Sequence, residues 1–149
     1  MFEVWLTMRW RMLAICSLEN WEVVQSATIN WAMEVGWCST LLEARRGLQR
    51  GGHSLVLCEA ELPDGTYHDV MRLLQYKPCQ TRVIVLSNSP AQDCYHQAIA
   101  MGVFDVIPAP TSRTDIQWTS MQAVQGCAPA PAPRERIHPV QIMALRARQ

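Results

Sequence analysis

Leu55-Val56-Leu57-Cys58 runs straight into an acidic residue, Glu59, and three residues later a turn begins, Leu62-Pro63-Asp64-Gly65. A short, continuous apolar run of this kind suits a strand buried on both faces, as in a parallel sheet covered by helices. A strand over Ser54–Cys58 therefore calls for helices on both sides of its sheet. The residue that follows such a strand emerges at the carboxyl end of the sheet, where open α/β folds place functional groups. Here that residue is Glu59.

The rest of the chain supplies matching elements. Met12 to Cys16 reads as a first buried strand, and Trp21, Val24, Thr28 and Trp31 then recur at helical steps, with Glu19 and Asn20 suiting the helix start. Glu34 to Cys38 reads as a second strand. Ser39 or Thr40 can cap a helix that buries Leu41, Ala44 and Leu48, leaves Arg45, Arg46 and Arg50 in water, and stops at Gly51-Gly52. After the Pro-Asp-Gly turn, Tyr67, Val70, Met71 and Leu74 share a helical face that ends before Lys77-Pro78. Arg82 to Leu86 (RVIVL) is the second buried strand. Ser89-Pro90 predicts a helix start running to Met101, with Ala91, Cys94, Ala98 and Met101 inside and Gly102 as the stop. Phe104 to Ile107 makes a fifth strand, and Ser112 with Asp115 opens a last helix to about Gln125.

Five strands alternating with five helices predict a doubly wound α/β domain with one parallel sheet, strand order 2-1-3-4-5. The boundaries read as an extension over 1–10, a domain over 11–126 and a tail over 127–149. The tail opens with Ala-Pro repeats over 128–133, a stiff extended spacer. Arg134 to Gln149 then holds four arginines, one glutamate and a short helical pattern from Val140 to Arg148. The tail reads as disordered, with a docking or nucleic-acid-touching segment as the alternative.

Composition narrows the function classes. Zero formal net charge with 49% apolar residues argues for a globular chain and against a generic nucleic-acid binder, which needs a basic face. No apolar run is long enough for a signal peptide or a membrane span, so a cytoplasmic location is expected. Cys16, Cys38, Cys58, Cys79, Cys94 and Cys127 form no C-x-x-C pair and no zinc spacing with histidine, so reduced, largely buried thiols are expected. His53, His68, His96 and His138 are scattered, Ser87-Asn88-Ser89 is no nucleophile elbow, and no glycine-rich phosphate loop follows a strand. Trp5, Trp10, Trp21, Trp31 and Trp37 crowd the first quarter of the chain, reading as core packing or as an exposed aromatic patch for a partner.

In combination, LVLCE-AELPDG (55–65), RVIVLS (82–87) and AMGVFDVIPAP (100–110) resemble the response-regulator receiver domain (CheY-like) of two-component signalling, over about Arg11 to Gln125. The resemblance implies a flavodoxin-like fold. It also implies a phosphoacceptor aspartate after the third strand, a Mg²⁺-holding acidic pair after the first, a hydroxyl after the fourth, and a lysine before a proline after the fifth. In this chain the acceptor position holds Glu59, the acidic-pair positions fall on Cys16 and Ser17, and the lysine position is Ala109. Ser87 keeps the hydroxyl, Pro110 keeps the turn or cis-proline position, and Val106 stands at the switch aromatic.

The match is therefore to a degenerate member, a pseudo-receiver. Glu59 with a hydroxyl is a poor set for Mg²⁺, even with Glu19 two residues beyond Ser17, and glutamate reaches one methylene farther than aspartate. The expectation is a stand-alone, non-enzymatic signalling domain without cofactor, acting through protein contact or homodimerisation on the face of the fourth helix, fifth strand and fifth helix. In a further reading Glu59 substitutes for a phosphorylated aspartate, held by Ser87. The alternatives are a working phosphorelay regulator with an unusual site, which would need Mg²⁺ and a histidine kinase, and nucleic-acid contact through the arginine-rich tail. No membrane partner is expected.

Overall fold

The computed structural model describes residues 10–75 and 81–125. Strands β1 (Trp10–Ile15), β2 (Met33–Cys38), β3 (Leu55–Glu59), β6 (Arg82–Leu86) and β7 (Asp105–Ile107) form one parallel sheet in the order β2-β1-β3-β6-β7. A two-stranded antiparallel pair, β4 (Glu61–Leu62) and β5 (Gly65–Thr66), sits apart from it. Five helices connect the strands: α1 (Leu18–Thr28), α2 (Leu41–Gln49), α3 (Tyr67–Gln75), α4 (Tyr95–Ala100) and α5 (Arg113–Gln125). With the small pair set aside, this is the doubly wound fold and the 2-1-3-4-5 order expected from the sequence.

Period-two alternation sorts each strand's side chains to the two faces of the sheet. Met12, Ala14, Leu55, Leu57, Ile84 and Leu86 pack with Val24 and Ala27 of α1 and with Ile116, Ala123 and Val124 of α5. Leu13, Ile15, Val56, Cys58, Val83 and Val85 pack with Ala44 and Leu48 of α2, Tyr67 and Val70 of α3, and Ala98 of α4. All five residues of β3 are buried. Each large aliphatic side chain so enclosed contributes about 1.5–3 kcal/mol, so the two-faced burial of the central strands stabilises the sheet that carries Glu59.

Several elements differ from the sequence expectation. β1 runs from Trp10, which is buried, to Ile15, whereas the sequence pattern predicts a strand over Met12 to Cys16. α1 ends at Thr28, and Trp31 lies beyond it yet still packs against the α1–α5 side of the core. α4 is only six residues long and begins at Tyr95, not at Ser89. Asn88 N–H donates to Gln92 Oε1 at 2.6 Å and Gln92 N–H donates to the Ser89 carbonyl at 3.1 Å. That local turn takes the groups a helix start would have used, and it leaves Ala91 exposed.

The Leu62–Gly65 turn is tighter than a simple lead into a helix. Leu62 pairs with Gly65 and Glu61 with Thr66, making a small hairpin around Pro63-Asp64. A Cβ on Gly65 would lie 2.7 Å from both Asp69 Oδ2 and Leu41 Cδ2, so those two side-chain ends pack where any larger residue would have to displace them. The Asp64 carboxylate accepts from Leu41 N–H at 2.7 Å and Leu42 N–H at 3.0 Å, satisfying two orphan donors at the start of α2. Those backbone hydrogen bonds, led by Leu41, hold its pKa below the ordinary aspartate value. The expected stop at Lys77-Pro78, residues 1–9 of the expected 1–10 extension, and the tail fall outside the described residues.

Candidate functional site

Three loops meet at the carboxyl end of the sheet: Cys16-Ser17 after β1, Ala60 onward after β3, and Ser87-Asn88 after β6. Glu59, the last residue of β3, delivers its carboxylate among them and is only 7% exposed. Oε2 accepts from Ser17 N–H at 2.8 Å and from Asn20 Nδ2 at 2.6 Å, and Oε1 accepts from Asn88 Nδ2 at 3.3 Å.

Each donor is itself fixed. Ser17 is the N-cap of α1, and its hydroxyl accepts from Asn20 N–H at 3.4 Å. The Glu59 carboxylate thus sits at the N-terminus of α1, where the helix field favours negative charge. Asn88 is bracketed by Glu61: its Oδ1 accepts from Glu61 N–H at 2.7 Å and its Nδ2 donates to the Glu61 carbonyl at 3.0 Å. One carboxylate therefore ties the β1–α1 loop to the β6–α4 loop through the end of β3.

The positions flagged in the sequence are brought to the same end of the sheet, but they do not all join this cluster. Ser87 is buried, its N–H donating to the Ile107 carbonyl at 3.0 Å, and it is not among the hydrogen-bond partners of Glu59. The expected Glu59–Ser87 hydrogen bond is therefore absent. Instead the donors are Asn20 and Asn88, whose part in the site went unrecognised in the sequence. Ala109 and Val106 are half-buried and present only methyl groups, and the Ala109–Pro110 peptide is cis.

Cys16 carries a thiol whose pKa is pushed up to about 12, first by burial and then by the neighbouring charges of Glu59 and Cys38. Burial likewise pushes Cys38 up to about 12, with Glu43 and Asp64 adding to it, and holds Cys58 well above the ordinary thiol value. These groups are neutral thiols across the physiological range, and Cys16, Cys38, Cys58 and Cys94 are all free. Among the described residues no three His, Cys, Asp or Glu side chains are grouped to hold a metal ion. Glu19 is exposed on α1 and does not enter the cluster.

Beside the cluster, Trp37 Nε1 donates to the Cys16 carbonyl at 2.9 Å, and its ring stacks on Trp21 with centroids 5.6 Å apart and planes 6° off parallel. The described histidines lie elsewhere: His68 against Tyr67 and Thr66, His96 against Tyr95, and His53 with its carbonyl accepting from Thr81 Oγ1.

The sequence matches no family model and no curated protein. The fold does match solved structures. A signal receiver domain from a Vibrio parahaemolyticus protein described as a Luxo repressor superposes with a TM-score of 0.73 at 18% identity, covering 79% of this chain and 92% of that one. A response regulator from Thermotoga maritima gives 0.68 at 20% identity, covering 78% and 98%. The receiver domain of beryllofluoride-activated NtrC4, a dimer in solution, gives 0.69 at 16% identity, covering 78% and 97%. The described residues thus have the receiver-domain fold. No helix of the described residues is long and apolar enough to cross a membrane.

Proposed function

We propose that this chain, folded as a receiver domain, serves in signal transduction through protein contact and independently of phosphorylation. The observation that carries the reading is the closed Glu59 cluster. A phosphoacceptor carboxylate needs an oxygen free to attack in line and a cation to neutralise the incoming phosphoryl charge. Here both oxygens accept N–H donors, and the positions around them offer a neutral thiol at Cys16, a hydroxyl at Ser17 and a methyl at Ala109.

The donor set does not fit Mg²⁺. That ion requires near-octahedral oxygen ligation, usually anchored by carboxylates, whereas the Ser17 backbone turns an N–H toward Glu59 and no second acid among the described residues joins it. The same geometry argues against Glu59 as a copy of a phosphorylated aspartate. Its carboxylate is drawn to the start of α1 and away from Ser87, and Val106 supplies no aromatic ring to rotate. Glu59 is better read as a fixed clamp that holds one arrangement of the loops.

The face of α4, β7 and α5 is the proposed contact surface. On α4, Tyr95 and Ile99 are 46% and 38% exposed and stand one turn apart, an apolar pair suited to a protein partner or a second copy. The similar receiver domain of beryllofluoride-activated NtrC4 is a dimer, which supports self-association as one such contact. The test is incubation with acetyl phosphate and Mg²⁺ followed by intact-mass measurement. Unchanged mass is the expected result. A metal-dependent gain of one phosphoryl group that vanishes in Glu59→Gln would overturn the reading.

A further inference from the structure

The start of α1 presents a surface that the clamp does not use. Leu18 is 59% exposed and Trp37 is 40% exposed despite its stack on Trp21. Glu19 and Glu22, both exposed, lie side by side on the first two turns of α1 at one edge of that patch, with Leu18 between Glu22 at i+4 and Trp21 at i+3, and α1 contains no basic residue. Neither glutamate enters the salt bridges of the described residues, which include Arg11 with Glu34 and Arg72 with Asp69. The described residues as a whole hold eleven acidic and seven basic side chains. A partly aromatic apolar patch edged by two such carboxylates is matched by a segment that carries both arginines and aliphatic side chains.

Beyond the described residues the C-terminal tail is such a segment. Residues 134–148 hold Arg134, Arg136, Arg146 and Arg148 against the lone Glu135, with Ile137, Val140, Ile142 and Leu145 among them. The tether has the required length. α5 packs beside α1, where Gln117 Nε2 donates to the Ala27 carbonyl at 3.2 Å, and the tail leaves the end of α5 at Gln125. From Gln125 the way back runs about 12 Å along α5 to Gln117 and about 14 Å along α1 from Ala27 to Leu18, and the eight residues 126–133, which include the Ala-Pro spacer, span at most about 26–29 Å. A segment after that spacer can therefore return along α1 to its N-terminal turns.

We propose that residues 134–148 dock on this surface of their own chain, with arginines paired to Glu19 and Glu22 and one guanidinium over the exposed face of Trp37. The contact is electrostatic and largely solvent-accessible, so it weakens with salt. It gives the basic tail an acidic protein surface to occupy.

Zero-length carbodiimide coupling of the full chain carrying Arg146→Lys and Arg148→Lys tests the proposal. The reagent condenses an amine with a carboxylate only where the two are in contact, and Lys77 is the single native lysine, a built-in control. The expected product is a monomer whose introduced amines are joined to Glu19 or Glu22. Its yield should fall by about fivefold or more at 0.5 M salt, where charges are screened beyond roughly 4 Å, and the link should vanish in Glu19→Gln/Glu22→Gln. Links confined to a covalent dimer would assign the tail to a second copy and overturn the proposal. So would links spread over other carboxylates, or no link from the introduced amines.

Discussion

Replacing Glu59 by glutamine tests the clamp with almost no change in shape. The introduced side chain can turn its carbonyl oxygen to the Oε2 position and keep accepting from Ser17 N–H and Asn20 Nδ2, but as a neutral group. Hydrogen bonds to charged groups contribute about 1.5–3 kcal/mol and neutral ones about 0.5–1.5 kcal/mol, so these two bonds weaken by roughly 2–3 kcal/mol together. The new amide then faces Asn88 Nδ2, donor against donor, at a pair that was 3.3 Å apart. Asn88 cannot flip to relieve this without breaking both of its bonds to the Glu61 backbone. An unsatisfied buried donor adds about 1–3 kcal/mol, discounted here because Asn88 reaches the surface. The expected loss is therefore about 2–4 kcal/mol, a fall in Tm of about 4–16 °C for a domain of this size. Urea unfolding followed by far-UV circular dichroism measures it. A double-mutant cycle with Asn20→Ala should give a coupling of at least about 0.5 kcal/mol, as for residues in one hydrogen-bond network. If Glu59→Gln unfolds within about 0.5 kcal/mol of the parent, and the cycle is additive, the three-donor clamp contributes nothing and the reasoning is wrong.

Gly65→Ala should cost about 1–3 kcal/mol, because its Cβ would displace Leu41 Cδ2 and Asp69 Oδ2, the latter the acceptor of Thr66 N–H; chemical denaturation reads the loss. Asp64→Asn should destabilise the start of α2 and flatten the acid limb of the stability profile. The Asp64 pKa is lowered in the folded state, so its contribution is present above the ordinary aspartate value and is lost as pH falls through the folded value; Tm measured between about pH 2 and 5 in both proteins checks the sign. The thiols act at the opposite end. Cys16 and Cys38 titrate near 12 when folded and near 9 when unfolded, so their contribution is full below pH 9 and is lost as pH rises toward 12. Stability should fall over that window, less steeply in Cys16→Ser/Cys38→Ser, and at about pH 8 both native thiols should resist iodoacetamide until denaturant is added.

The two central strands were legible because burial on both faces leaves an uninterrupted apolar run, and both Leu55–Cys58 and Arg82–Leu86 carry one. The turn at Pro63-Asp64-Gly65 was legible from its residue types, whereas the two-residue strands flanking it pair too briefly to leave a period. The false helix start at Ser89-Pro90 has a specific cause: the capping signal is local, and it lost to the Asn88–Gln92 side-chain bond. Glu59 could be placed at the carboxyl end of the sheet from the strand alone. Its donors could not, since Asn20 and Asn88 lie 39 and 29 residues away in sequence and an asparagine at a helix start or loop is ordinary. Ser87 drew attention through resemblance, but geometry gives the bond to its neighbour Asn88. The Trp21–Trp37 stack likewise depends on α1 and β2 meeting, so clustering of tryptophans pointed to a region and not to a pair.

The central claim is that the Glu59 carboxylate is closed by Ser17, Asn20 and Asn88 and does not open to a metal and a phosphoryl group. Titration of the ¹⁵N-labelled full chain with Mg²⁺ and beryllofluoride, following the Ser17 backbone amide and the Asn20 and Asn88 side-chain amides, addresses it directly. The account predicts that these signals hold their positions through millimolar additions, while in Glu59→Gln they move at the outset with loss of the charged acceptor. Saturable shifts of all three in the parent chain, with the Ser17 amide released from its acceptor, would contradict it.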